Sequence, residues 1–368
     1  MVTVSTLASP VFEGRRVGTP GGVRAAKYIA RSFSAAGLRT VGGDGYLQRF
    51  AGGGAKVVGV HPGNGPRGNE GVVVGAHFDH LGVRDRVLYP GANDNASGVA
   101  VLLAVARWWV QAAPTERRTL LFVAFDSEEA GLLGSRYFMA NLPVRRADLA
   151  AAVILDMVGA PLHPGLGARL SVQGTETSAQ LRAAMARAEV PEGLSVHPFG
   201  YHVLENLPFQ PRHVWSDYGP FRDAGIPVAF LSTGNNVHYH QPTDTVEHLD
   251  PRLLQQVAHW LDRYLRELST MNERLVFEAG HEELHEDLRQ ITALVRLTLE
   301  PSVGFQNPLV RVALLEEHLQ ALEAAEARVA RGETLQREDI REIRRAALRV
   351  TCYAGGPLSD FAAMCNRF

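Results

Sequence analysis

Short, unbroken apolar runs recur at residues 57–60, 72–75, 120–125, 153–155 and 228–231. Continuous rather than alternating hydrophobicity is the pattern of strands covered on both faces. Between the runs the spacing lengthens to that of a helix. Val23, Ala26, Ile29, Ala30 and Phe33 mark one face of a helix over 22–38, and similar patterns span 96–111, 128–139, 178–187 and 251–268. Strands alternating with helices predict a three-layer α/β/α unit around a largely parallel sheet. In such a sheet ligands gather outside the carboxyl ends of the strands. The run from Gly63 to Gly68 matches G-x-G-x-x-G, but it contains Pro66 and leads into a strand, so it reads as a hairpin loop and not as a nucleotide site.

From about residue 269 the pattern becomes charged and helical. Leu284, Leu288, Ile291, Val295 and Leu299 form one apolar stripe, a second helical stretch over 309–330 stops at Gly332, and a third begins near Leu335. The expected division is therefore an α/β unit over 1–268 and a helical C-terminal extension over 269–368. The extension could support a homo-oligomer, cover a site or pack on the core; packing is the favoured expectation, because most such stripes are core. His281-Glu-Glu-Leu-His285 fits the HExxH pattern, yet Glu283 and Glu286 put charge where a zinc helix is normally buried, so an exposed helix face is expected instead.

Composition narrows the partners. The 368 residues carry a net charge of −2, which leaves no basic footprint for nucleic acid or an anionic membrane. A peptide or small solute is the expected partner. No run is long and apolar enough to cross a bilayer, and the first residues lack the basic and apolar regions of a secretory signal, so a cytoplasmic location is expected. Only Cys352 and Cys365 are present, which excludes a disulfide framework and a multi-cysteine zinc site. Any metal must be held by imidazole and carboxylate.

Such groups close the apolar runs. His77 follows one, with Asp79 two residues on and able to orient the ring. Asp94 lies in the small-residue turn Gly91-Ala-Asn-Asp-Asn-Ala-Ser-Gly98, where it could bridge two cations or simply cap a helix. Glu128 and Glu129 follow the run 120–125. Asp126 with Glu129 could be a capping box, but adjacent carboxylates repel, which suits one that binds a cation and one that takes up a proton. Asp156 ends another run, and His240 is stiffened by Pro242 with Asp244 available to hold it. Each alone is structural more often than not; the set in this order carries the specificity.

The blocks Gly75-Ala-His-Phe-Asp-His80, Gly91 to Gly98, Glu128-Glu-Ala-Gly-Leu-Leu-Gly-Ser135 and Tyr239-His-Gln-Pro-Thr-Asp-Thr245 resemble the dizinc aminopeptidase family, which includes bacterial leucine aminopeptidases, glutamate carboxypeptidases and glutaminyl cyclases. Glu13-Gly-Arg-Arg-Val-Gly-Thr19 is similar too, and the resemblance covers about residues 11–268. It implies the zinc-exopeptidase fold, with a mostly parallel mixed sheet, and an aminopeptidase that works through a water between two zinc ions, Co2+ or Mn2+ being alternatives. It further implies one zinc on His77 and Asp156, the other on Glu129 and His240, Asp94 bridging, Glu128 as general base, Asp79 orienting His77, and Tyr239 polarising the substrate carbonyl. Three carboxylates against four positive charges would favour an oxyanion. Tyr218 departs from the family, where many relatives have His, and the extension has no counterpart. A single-zinc glutaminyl cyclase-like acyltransferase and a dipeptidase or carboxypeptidase remain alternatives. Residues 197–214 are expected to line the substrate pocket.

Overall fold

The computed structural model describes every residue except 42–44, 51–52, 206–212, 305–311 and 356–368. Among the described residues, ten strands and eleven α-helices follow one another: α1 (Val2–Leu7), α2 (Pro20–Ala36), β1 (Leu47–Arg49), β2 (Ala55–His61), β3 (Gly71–His77), β4 (Gly82–Arg84), β5 (Val87–Tyr89), α3 (Gly98–Ala112), β6 (Thr119–Phe125), α4 (Leu133–Ala140), β7 (Leu149–Leu155), β8 (Arg169–Gln173), α5 (Ala179–Arg187), β9 (Ser195–Phe199), α6 (Tyr201–Glu205), α7 (Gly219–Asp223), β10 (Val228–Ser232), α8 (Pro251–Thr270), α9 (Leu284–Thr298), α10 (Val312–Ala330) and α11 (Arg337–Gly355). All but β4 and β5 join one sheet in the order β1-β2-β6-β3-β7-β10-β8-β9. The central strands β6, β3, β7 and β10 are parallel, while β2 meets β6, and β8 meets β10, antiparallel.

The unbroken apolar runs are explained by burial on both sides. Val72, Val74 and Ala76 of β3 face a cluster with α2, α3 and α8, whereas Val73 faces the opposite cluster with Phe138 of α4 and Phe221 of α7. Leu120, Phe122 and Ala124 alternate in the same way with Leu121, Val123 and Phe125 along β6. This is the expected α/β/α sandwich. The strands missed by pattern are β1, β4, β5, β8 and β9: the first three are only three residues long, and β8 and β9 interleave apolar and polar side chains at the sheet's far edge.

Some expected boundaries shift. The helix expected over 128–139 begins only at Leu133, because Ser127 and Leu132 both have positive φ and the chain turns sharply between them. Asp126 and Glu129 therefore form no capping box. The loop from Gly63 to Gly68 is not a hairpin: it leads from β2 to β3, which lie on opposite sides of β6, and it is tied to that strand's entry by pairing of Asn64 with Arg117. His281 is exposed as expected, but it precedes α9 and does not lie on the helix face expected for it; its ring pairs with Glu283 at 2.9 Å.

Arg118 is fully buried and donates from its guanidinium to the carbonyls of Leu268, Met271 and Glu273, closing the last turn of α8 just where the pattern changes. Beyond it, α9, α10 and α11 bury Leu288, Ile291, Leu315, Leu322 and Ile343 in one cluster that also takes in Leu166 and Val203. The extension thus shares its core with the sheet's far edge. Cys352, near the end of α11, is disulfide-bonded.

Candidate metal centre

Strand register builds this centre. His77 pairs with Phe125, and Ala76 and Leu231 both pair with Leu155, so β3, β6, β7 and β10 end at one level. The residues at or just past those ends therefore converge: His77, which closes β3, the pair Glu128 and Glu129, Asp156, and, from a longer loop after β10, His240. Asp94 reaches the same point from the turn before α3.

The two oxygens of Asp94 face different ways. Its Oδ1 lies 3.4 Å from His77 Nε2, which is also 3.1 Å from Asp156 Oδ1. Its Oδ2 lies 3.3 Å from His240 Nε2, which is 3.3 Å from Glu129 Oε2. Two half-sites share one carboxylate. His80 enters the second half-site as well, its Nδ1 2.9 Å from Glu129 Oε1 and 3.6 Å from Asp94 Oδ2. It went unassigned in the sequence although it stands in the same block as His77; a histidine directly after the His-x-Asp spacing was the available sign.

Asp94 itself caps no helix; the first amide of α3, that of Gly98, donates to Asn95 Oδ1 at 2.9 Å. Asn93 Oδ1 accepts from the amides of Gly159 and Ala160, Asn95 donates to the carbonyl of Leu155, and Ser97 accepts from Val158. These small polar residues stitch the turn to the segment carrying Asp156. Gly91, with φ +59°, makes the turn possible, since a Cβ there would stand 2.3 Å from the Asp94 carbonyl and 2.5 Å from the His80 ring.

The supporting carboxylates act mainly on main chain. Asp79 lies beside His77, but its Oδ1 and Oδ2 accept from the amides of Glu128 and Glu129; the nearer partner of His77 Nδ1 is the Asp79 carbonyl, at 3.2 Å. Holding Nδ1 this way leaves the Nε2 lone pair toward the cluster. Asp244 corrects the expectation that it holds His240: its carboxylate accepts from the amides of Asn93 and Asp94, at 2.8 and 3.0 Å, and so braces the bridging residue. Arg15, from the early Glu-Gly-Arg block, is wholly buried and donates to the carbonyls of Leu7, Phe78, Pro90 and Gly91. Its clamp was not foreseen.

Electrostatics favours a cation here. Burial, together with the charges of Glu129, Asp156 and Asp217, pushes the Glu128 carboxyl well above the ordinary range, against the opposing pull of His77. Burial raises Asp156 as well, and the fully buried Asp217, also unforeseen, is pushed up to about 7. Glu129 is held well below the usual range by His240 and His80, which outweigh its burial. Four acidic side chains gathered beside imidazole donors match the oxygen and nitrogen ligand chemistry of zinc, and cobalt and manganese accept such donors too. Among the described residues the Glu128 carboxylate has no hydrogen-bond partner; it lines the cavity beside Asp94 and Asp156. Tyr239 stacks on His240, ring centroids 3.9 Å apart. Tyr218 stays out of the centre: buried behind it, it stacks on Tyr201 and donates to Glu205 at 2.7 Å. Of the segment 197–214, His197, Phe199, Val203 and Leu204 line the cavity, and 206–212 lie outside the described residues.

The sequence profile of Peptidase family M28 matches residues 56–264. Aminopeptidase YwaD of Bacillus subtilis is 29% identical over 194 residues, covering 51% of this chain and 38% of its own length. Leupeptin-inactivating enzyme 1 of Streptomyces exfoliatus is 29% identical over 235 residues, covering 63% and 47%. This chain thus spans less than half the length of these two curated relatives. The LapA aminopeptidase structure from Legionella pneumophila shares the fold with a TM-score of 0.58 and 20% identity over 74% of this chain and 71% of that one.

Proposed function

Since this chain belongs to peptidase family M28, we propose that it is a zinc-dependent aminopeptidase that removes N-terminal residues from peptides, with 1–268 as the catalytic unit and 269–368 as an accessory wall. The observation that carries this is the division of Asp94, one oxygen toward His77 and the other toward His240 and His80. His77, Asp156 and Asp94 would hold one ion; Asp94, Glu129 and His240 would hold the other, with His80 steadying Glu129. Bound there, two zinc ions would polarise the substrate carbonyl and lower the pKa of water toward about 7.

The chain's own groups supply the rest. Glu128, unbound and facing the cavity, is placed to take the proton of the attacking water and return it to the leaving amine. The Tyr239 phenol, pushed well above its ordinary value by burial and by Asp94 and Glu129, stays protonated and would donate to the carbonyl oxygen of a bound substrate. The apolar part of the cavity, with Leu162 and Phe230, suits a hydrophobic side chain. The disulfide at Cys352 supports an oxidising compartment over a cytoplasmic one; among the described residues no helix is long and apolar enough to cross a membrane.

The test is a set of aminoacyl-p-nitroanilides, free and N-blocked, with and without chelator. Chelator-sensitive hydrolysis of free substrates alone is expected. Glu128→Gln should keep its zinc, counted by atomic absorption, and lose roughly 10²- to 10⁴-fold in kcat. Wild-type turnover in that variant would remove Glu128 from the mechanism, and pyroglutamate formation with about one zinc per chain would favour the cyclase alternative.

A further inference from the structure

The cavity does not stop at the metal centre. It continues across the antiparallel end of the sheet, where β8 carries Arg169 and Gln173 and β9 carries His197, and it is closed on the other side by Leu294 of α9 and Leu348 of α11. Pairing of Leu170 with Val196 and of Val172 with Pro198 sets Arg169, Gln173 and His197 on one alternating face of these strands. This far end is polar without being satisfied.

Arg169 is the positive group there. Its Nη2 lies 3.3 Å from His197 Nδ1, and among the described residues no carboxylate comes within ion-pair distance of it. Burial lowers its pKa, with no acidic neighbour acting against that effect. Burial and the nearby Arg169 hold the His197 imidazole below the ordinary histidine range, and its Nδ1 is bonded to Gln290 of α9 at 2.7 Å. Gln173 is 3% exposed, and its Oε1 and the His197 Nε2 are buried with no partner. A partly buried guanidinium without a counter-charge, beside buried unpaired acceptors, is costly by itself and is offset by a ligand that brings both an anion and an N–H donor. A peptide's last residue brings both.

The spacing suits a short chain. Leu155 pairs with Leu231 and Ser232 with Ser171, so the level of Asp156 lies two strand spacings, roughly 10 Å, from β8, and Arg169 is two residues, about 7 Å, further along that strand. The diagonal is ~12 Å between backbones, and an extended peptide of about two to four residues covers such a distance. We infer that Arg169 and Gln173 form a subsite for the terminal carboxylate and last amide of a short peptide whose amino end lies at the metal centre. The inference rests on the aminopeptidase reading. On this view α9 and α11 close the cavity beyond the subsite and set the peptide's length, with Arg169 favouring substrates that end there.

The experiment compares kcat/KM of the zinc-loaded wild-type protein for Leu-Gly-Gly as the free acid, for its C-terminal amide, and for Leu-Glu-Gly-amide. The free acid should be preferred over the amide by roughly ten- to a hundredfold, the scale of a charge-assisted, bidentate contact. That preference should shrink to about threefold or less in Arg169→Met and be intermediate in Arg169→Lys, which keeps the charge but not the fork. Calorimetric binding of the same acid and amide to Glu128→Gln should show the same order. Parity of acid and amide in the wild-type protein overturns the subsite, and so does a preference that follows the internal Glu side chain whatever the terminus. The wild-type comparison decides this even if a variant fails to fold. Hydrolysis of Leu-p-nitroanilide together with acid–amide parity sinks the subsite alone; no chelator-sensitive turnover of any of these substrates sinks the aminopeptidase reading and the subsite with it.

Discussion

At the residue scale, several charged groups serve main chain more than chemistry. Asp79, Asp244 and Arg15 each saturate backbone groups of the turns that present ligands. Replacing Arg15 by Met would strip buried carbonyls at Leu7, Phe78, Pro90 and Gly91 of a shared donor, and each such group costs roughly 1–3 kcal/mol. We expect a loss of about 3–5 kcal/mol in urea denaturation and a zinc affinity roughly 10- to 100-fold weaker; unchanged zinc affinity would mean that the Asp94 turn holds itself. Glu176 offers a pH test away from the metals. Burial pushes its carboxyl up to about 8 although it accepts from the Tyr201 amide. The folded state then holds a proton that the unfolded chain releases near its ordinary value of 4.5, so this contribution to stability is full below that value and is lost as pH rises toward 8. Glu176→Gln should therefore gain in melting temperature over the wild type between pH 5 and pH 8; a difference constant with pH would show that Glu176 ionises normally.

At the element scale, the extension is fastened by a buried polar junction. Asp287 of α9 accepts from the Gly200 amide at 2.8 Å and pairs with His202 Nε2 at 2.7 Å, while Arg344 of α11 reaches His202 Nδ1 at 3.2 Å. Asp287→Leu leaves the amide and the imidazole without that partner and should loosen α9 to α11 by about 2–4 kcal/mol, seen as faster proteolysis of the extension than of the sheet domain. Equal protection in both proteins would assign the docking to the apolar cluster around Leu288 and Ile343. α11 also touches the centre directly, since Leu348 and Cys352 pack with Trp215 and Tyr239, the residue before His240. The apolar stripe at Leu284 to Leu299 gave no hint of this, because periodicity says that a face is buried and not what buries it.

At the scale of the whole molecule, the charge gathered at the strand ends ties stability to metal. Asp94, Glu128, Glu129 and Asp156 repel one another when no cation stands between them. Chelation should lower the melting temperature at neutral pH, and zinc at about a thousand times its Kd should restore roughly 4 kcal/mol. A melting curve indifferent to chelator and zinc would deny that these residues bind a cation in the folded protein.

What the sequence determined by itself was local. The buried central strands were legible because β3, β6, β7 and β10 are covered on both faces and so need unbroken apolar runs, and the candidate ligands were legible because they sit where those runs stop. Only tertiary structure decided which side chains share a point. Asp244 lies four residues from His240 yet braces Asp94, 150 positions away, because the loop after β10 folds back over that turn. Arg169 and Gln173 gained meaning only when β8 was set beside β10 and roofed by helices more than a hundred residues later. Pattern records whether a residue faces water; pairing, register and docking decide which other residue it faces instead.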